Sequence, residues 1–288
     1  MTAPDEPAFP SREGGLVRLR LDLEYDGTGF AGWASQPGLR TVQQVLEAAL
    51  STLFRVPRVA VVVAGRTDTG VHATGQVCHC DVAAAGWAEQ RGRIVRRLAG
   101  LLPPDVRVRA VTEALADFDA RFSALWRRYR YRICDAEYGA PVLRRVDTVG
   151  WKRTLDAAAM DRAGQRLLGL HDYAAFCRRR PGATTVRRLE QLAVRRRGEL
   201  VEIEVQADAF CHSMVRSLVG ALAAVGEGSR DEEWPYRLLG LGERSDHITV
   251  APARGLTLVA VGYPAEAELA ARAAQTRGLR SLDAGRPG

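Results

Sequence analysis

The feature that most limits the fold is a change of hydrophobic period that runs twice through the same order. "LVRLRLDLEY" (16–25) alternates apolar and polar residues, as a half-buried strand does. Over 41–54 the period lengthens to that of a helix. Val42, Val45, Leu46, Ala49, Leu50 and Leu53 fall on one side, and Thr41 with Gln44 forms a capping box at the start. An apolar strand (59–64), a glycine-rich loop, a strand (71–82), a helix (87–101) and a strand (105–111) complete the order β-α-β-β-α-β. The second part repeats it with strand 126–134, an extra short strand near 146–151, helix 155–169, strands 186–195 and 200–207 turned at "RRGE", helix 211–225 and strand 256–263. No residue-by-residue repeat accompanies this, so the duplication is one of pattern. The expectation is an α+β protein. Its two ferredoxin-like (RNA-recognition-like) βαββαβ halves form a continuous sheet with the active cleft between them. The expected divisions are a disordered leader (1–15), an N-terminal half (16–115), a C-terminal half (116–264) and a flexible tail (265–288).

Charge narrows the partners. The 288 residues carry a formal net charge of +7, and Lys152 is the only lysine, so the positive charge is arginine. That balance points to a polyanion, most commonly nucleic acid; an Arg-for-Lys habit of the source genome accounts for the choice of residue but not for the excess. No apolar run reaches the ~20 residues of a membrane span, and "MTAPDEPAFPSREGG" has no secretion pattern. The expected location is cytoplasmic. Five cysteines, at 78, 80, 134, 177 and 211, then read as reduced, mostly buried thiols. "CHC" (78–80) has no second ligand pair at zinc-like spacing, and in a strand His79 faces away from both cysteines.

Several motifs have both a structural and a chemical reading. "GTGFAG" (27–32) matches G-x-G-x-x-G, but a dinucleotide site needs its helix to open on the glycines, and here the helix waits until Thr41. It reads instead as a flexible loop tipped by Phe30 and Trp33, or as an ordinary glycine turn. In "RFSALWRRYRYRIC" (121–134), Tyr129, Tyr131 and Ile133 share one face of a strand and Arg128, Arg130 and Arg132 the other. This gives a core face and a solvated basic face, with Tyr129 at the strand's start where its ring can stack on a base. Arg144-Arg145, Arg178-Arg179-Arg180, Arg187-Arg188 and Arg195-Arg196-Arg197 are solvated turns singly and together can track a phosphate backbone. In the nearly apolar helix "FCHSMVRSLVGALAAVG" (210–226), Arg216 needs a carboxylate, an anionic ligand or a path to solvent.

The stretch "VAVVVAGRTDTGVHATGQV" (59–77) sets Arg66 and Asp68 in a glycine-rich loop directly off an apolar strand. Asp68-Thr69-Gly70 alone is turn chemistry. A neighbouring cation favours the ionised form of a carboxylate, however, and Asp68, Tyr129 and Arg216 come from both halves, as a site in a cleft between them would require. His72, close by, reads as structural.

"LEYDGTGFAGW" (23–33), "RTVQQVLEAAL" (40–50), "AGRTDTGVHATGQV" (64–77), "ARFSALWRRYRYRI" (120–133), "FCHSMVRSLVG" (210–220) and "GLTLVAVGYP" (255–264) occur in the order and form of the tRNA pseudouridine synthase A (TruA) family, which this chain resembles over about 17–264. The resemblance implies isomerisation of uridine to pseudouridine at positions 38 to 40 of the tRNA anticodon stem-loop. It also implies a homodimer that holds the tRNA between its subunits, and neither cofactor nor metal. By matching position it makes Asp68 the catalytic nucleophile and Tyr129 a contact to the target uracil. Arg66 and Arg216 become cationic, substrate-binding companions, with Arg66 helping to displace the base. Thr69, Ala34, Ser213 and Ser217 depart from the usual Ala, Gln, His and Asn of that family, which bears on RNA contacts and not on the reaction. Two other classes fit parts of the sequence. One is a non-catalytic RNA-binding protein on the same scaffold; the other is an oxidoreductase resting on "GTGFAG".

Overall fold

The computed structural model of the chain describes residues 15–178 and 184–276. The leader before Gly15 and the tail beyond Thr276 lie outside the described residues, as do Arg179 and Arg180. The first half comprises β1 (Leu16–Tyr25), α1 (Val42–Phe54), β2 (Val62–Val63), β3 (His72–Ala83), α2 (Ala84–Gln90), α3 (Ile94–Leu101) and β4 (Val106–Ala114). The second comprises β5 (Trp126–Cys134), β6 (Val149–Gly150), α4 (Ala157–Gln165), β7 (Gly169–Asp172), β8 (Val186–Arg197), β9 (Leu200–Ala207), α5 (Met214–Gly226), α6 (Trp234–Leu238) and β10 (Leu256–Gly262), with α7 (Leu269–Thr276) after it. One sheet runs through both halves in the order β4-β1-β3-β10-β5-β9-β8-β7, with β2 on β3 and β6 on β5. This is the continuous α+β sheet that the doubled pattern predicts.

The alternation in each strand becomes burial. Leu19, Leu21, Leu23 and Tyr25 of β1 lie inward with Cys78 and Cys80 of β3 and with Tyr129, Tyr131 and Ile133 of β5, in one apolar cluster that also takes in α1, α3, α4 and α5. Thr41 caps α1 by accepting a hydrogen bond from the Gln44 amide, and the helix ends at Arg55 in the left-handed region. The other half of the expected capping box is absent, because the Gln44 side-chain oxygen accepts from the Thr41 hydroxyl instead.

Three elements differ from the sequence expectation. The apolar run 59–64 pairs as a strand only at Val62–Val63, because the amides of Val59 and Val61 donate to Ser51 Oγ and Glu47 Oε1 of α1. The single helix expected over 87–101 is two, parted at 91–93 around Gly92. Helix 155–169 stops at Gln165, and β7 opens at Gly169 with φ +112. The segment from Ala265 is a 3-10 turn and then α7, whose Leu269 is buried against Phe118 and Ala120. Among the described residues no helix is long and apolar enough to cross a membrane.

The joint between halves positions everything that follows. One edge of β3 pairs wholly with β1, but the other is shared: His72–Ala73 takes β10 in parallel, and Cys78–His79 takes β2. Between these contacts stands Gly75, where an added Cβ would come within 2.1 Å of the Val259 carbonyl, at the irregularity of β10. The sheet forks there, and the loop between β2 and β3 occupies the fork.

Gly75→Ala is expected to destabilise the protein by about 1–3 kcal/mol, because backbone on both sides must part. Gly100→Ala, in α3 with nothing within 4 Å of the new methyl, should be neutral or stabilising by up to about 1 kcal/mol. Urea midpoints of the two variants measure this; equal midpoints would refute the tight joint.

Candidate active site

The loop 64–71 is held from behind. Trp33 N–H donates to the Thr67 carbonyl (3.0 Å), Gly70 N–H to the Phe30 carbonyl (3.4 Å) and Ala31 N–H to the Arg40 carbonyl (2.9 Å). Phe30 and Trp33, expected at the tip of a flexible loop, are 2% and 1% exposed. "GTGFAG" is the back wall of the loop: at Gly32, with φ +98, a Cβ would stand 2.9 Å from the Thr67 carbonyl, and at Gly27 one would overlap the Val71 carbonyl. Below the loop, Tyr25 Oη and Thr67 Oγ1 lie 2.7 Å apart, and Gln76 Nε2 donates to both Tyr25 Oη and the Gly65 carbonyl. Burial pushes the Tyr25 hydroxyl up to about 12, against the opposing hydrogen bonds from Thr67 and Gln76. His72 is structural as read: Nδ1 accepts from Gly27 N–H and Nε2 donates to the Arg254 carbonyl.

A buried arginine fixes the loop to the second half. Arg127, on the tyrosine face of β5, donates to the Ala64 carbonyl (2.8 Å), the Arg121 carbonyl (2.6 Å) and the Asp208 carbonyl (3.0 Å). Ala64 is where the loop leaves β2; Asp208 is where the chain turns toward α5. The α5 segment enters through Ser213, a non-glycine residue at φ +65, a strained conformation that sets His212 beside the loop. His212 Nε2 lies 3.4 Å from Asp68 Oδ1.

The four residues singled out in the sequence meet. Arg66, Asp68, Tyr129 and Arg216 all line a cavity of about 760 Å³. Tyr129 is nearly buried and packs edge-on against Phe210, ring centroids 5.1 Å apart. Burial first, then the nearby Tyr25 and Asp68, raises its pKa, while Arg127 opposes the rise; the ring is therefore a neutral phenol at neutral pH. Arg216 donates through Nε to the Ala251 carbonyl (2.6 Å), and none of the described carboxylates pairs with it. Arg66 is exposed at the cavity. The side chain that the structure brings within 4 Å of the Asp68 carboxylate is His212, which is charged only when protonated, and not the Arg66 that lies next to it in sequence. The cavity is polar and aromatic, and Asp68, Asp81 and Asp119 are the carboxylates on its wall. Such a site can hold a planar ring and bring a carboxylate to it.

Other expectations change. Arg128, Arg130 and Arg132 are not a free basic face: they donate to Gln206, Glu204 and Glu202 across the β5–β9 ladder. Cys177 and Cys211 are joined as a disulfide with Cα atoms 5.7 Å apart, whereas Cys78, Cys80 and Cys134 are buried and free. Arg127, His212 and Phe210 were not picked out as site residues. Strand alternation places Arg127 with Tyr129 and Tyr131, and that is the signal that could have found it.

A family model described as tRNA pseudouridine synthase matches residues 23–123 and 163–264. A tRNA pseudouridine synthase A of Frankia casuarinae is 59% identical over 92% of this chain and 96% of its own length. That of Streptomyces avermitilis is 50% identical over 94% of this chain and 96% of its own. That of Mycobacterium leprae is 51% identical over 92% and 96%.

Burial of the Tyr25 hydroxyl gives stability a pH dependence of known sign. The unfolded phenol ionises near 10.0 and the folded one near 12. The folded state thus keeps a proton that the unfolded chain releases, so this contribution is complete below pH 10 and is lost as pH rises toward 12. Unfolding free energy should fall over that interval in the wild type. In Tyr25→Phe it should start about 1 kcal/mol lower and fall less steeply. Parallel curves for the two proteins would count against the burial of that hydroxyl.

Proposed function

The chain belongs to the tRNA pseudouridine synthase family, an isomerase acting on uridine in tRNA, and from this premise we propose that it converts uridine at positions 38 to 40 of the anticodon stem-loop, with Asp68 as the catalytic nucleophile. The observation that carries the reading is the convergence of Asp68, Tyr129, Arg66 and Arg216, from three separate segments, on one cavity.

A uridine in a stem is out of reach until it is extruded. Arg66, exposed at the mouth, is placed to meet the RNA and occupy the position that the base leaves. The extruded uracil has the Tyr129 ring to lie against, and Phe210 braces that ring from the side. A phenol held neutral by burial offers a hydrogen-bond donor and an apolar face, and takes no part as a base. Asp68 meets the nucleotide between base and sugar. As a carboxylate it can form a covalent bond that divides one difficult displacement into two easier ones. The C1′–N1 glycosidic bond breaks, the uracil turns, C5 bonds to C1′ as the bond to Asp68 is released, the proton on C5 leaves to solvent, and N1 takes up a proton from solvent. The reaction transfers no electrons and no group to a third party. The homodimer that the resemblance implies, and the cytoplasmic location expected from the sequence, belong to the same proposal; the tRNA would then be held between two subunits.

With C5-tritiated uridine in tRNA, the wild type should release tritium. Asp68→Asn should release it more than about 10³-fold more slowly while retaining tRNA affinity. Equal rates would remove Asp68 from the chemistry. Light scattering behind size exclusion should return twice the mass of one chain, and a single-chain mass would remove the dimer.

A further inference from the structure

Beside the large cavity lies a smaller one of about 430 Å³, and Asp68 borders both. The aromatic and apolar residues Trp33, Tyr129, Phe210 and Leu256 line only the larger. Arg244 lines only the smaller, with Arg178, His212 and Arg216 shared between them. We propose that the smaller cavity is a phosphodiester-binding site, in which Arg178 and Arg244 join Arg216 to hold a backbone phosphate adjoining the target uridine. The proposal rests on the RNA substrate inferred above and assigns it a second set of contacts.

Charge supports it first. Several arginines of this chain are met by carboxylates: Arg18 by Asp81, Arg40 by Asp105, Arg130 by Glu204, Arg196 by Asp135. Arg178, Arg216 and Arg244 have no carboxylate partner among the described residues. The one carboxylate on the wall is Asp68, which His212 already contacts. Three guanidinium groups around one small cavity repel one another until an anion enters, and a phosphate matches their forked donors.

The grouping is built by the backbone. Arg178 N–H donates to the His212 carbonyl (2.9 Å), and Ser245 N–H, next to Arg244, donates to the Ala175 carbonyl (3.1 Å). Arg216 and Ala251 exchange two bonds, Nε to the Ala251 carbonyl and Ala251 N–H to the Arg216 carbonyl. Behind them Gly220 lets α5 press on the 249–251 segment, since a Cβ there would overlap the Thr249 carbonyl. Three arginines from three segments are thus tied together before any ligand arrives. The first turn of α5, without a side-chain cap, adds its positive end to the same cavity. The division suits a nucleotide: base on the aromatic side, backbone on the arginine side, and Asp68 at the boundary where the base joins the sugar.

The test uses the intact protein, tRNA and the variants Arg178→Ala, Arg244→Ala and their combination. Arg237→Ala, which removes an arginine paired with Asp231 outside both cavities, controls for loss of charge. In each single variant KM for tRNA should rise about fivefold to tenfold, by more than kcat falls, as for loss of a charge-assisted contact. The slope of log affinity against log salt should become shallower by about 0.7–0.9 for each arginine removed, and Arg237→Ala should keep the wild-type slope. An unchanged slope, whether with unchanged KM or with a fall in kcat alone, overturns the site. If the wild type binds tRNA with this salt dependence but releases no tritium, the isomerase reading fails and the phosphate site stands.

Discussion

A single guanidinium joins the parts of this protein that must act together. Arg127 is buried on the apolar side of β5, where an unpaired charge would be very costly. It is stabilised by carbonyls from three places: Ala64 at the root of the loop that carries Asp68, Arg121 before β5, and Asp208 on the approach to α5. A hydrogen-bonded charge of this kind specifies geometry more strictly than an apolar residue would, because each carbonyl must present its lone pair at about 3 Å. Loop and helix segment are thereby indexed to the same side chain.

The sheet makes that indexing effective. With β2 and β10 sharing one edge of β3, the two half-sheets part just where the loop emerges, and the gap becomes the cavity. The loop has little freedom within it: "GTGFAG" closes its back, and Tyr25, Thr67 and Gln76 support it from below. Long-range electrostatics follow the same plan. Arginines along β5 are matched by the acidic and amide residues of β9, so the sheet's face is locally neutral. Arg178, Arg216 and Arg244, which have no carboxylate partner among the described residues, gather beside Asp68.

Much of the architecture is legible in the chain because alternation and helical period each report one face of one element, and burial follows that face. Asp68 and Tyr129 stand out in the sequence for a related reason: Tyr129 lies within a strongly patterned strand, and Asp68 in the glycine-rich loop that follows an apolar run. The failures have a common cause. Strand 59–64 was read by its apolar residues, but two of its amides go to α1 side chains. Phe30 and Trp33 were read as exposed because glycines surround them, yet those glycines are what lets the two rings sink against the loop. Arg66 neighbours Asp68 in sequence, while His212, more than a hundred positions away, is the residue that reaches it.

By itself, then, the sequence determined the order and type of the elements, the doubled α+β plan, the family to which the chain belongs, and the loop on which the carboxylate stands. These are local or collinear properties, written in period, turn chemistry and motif. Only the tertiary structure decided which cations face Asp68, which arginines are already neutralised and which are not, and that Cys177 and Cys211 meet. Those outcomes depend on side chains from distant segments competing for the same few ångströms, and a linear pattern does not record the result of that competition.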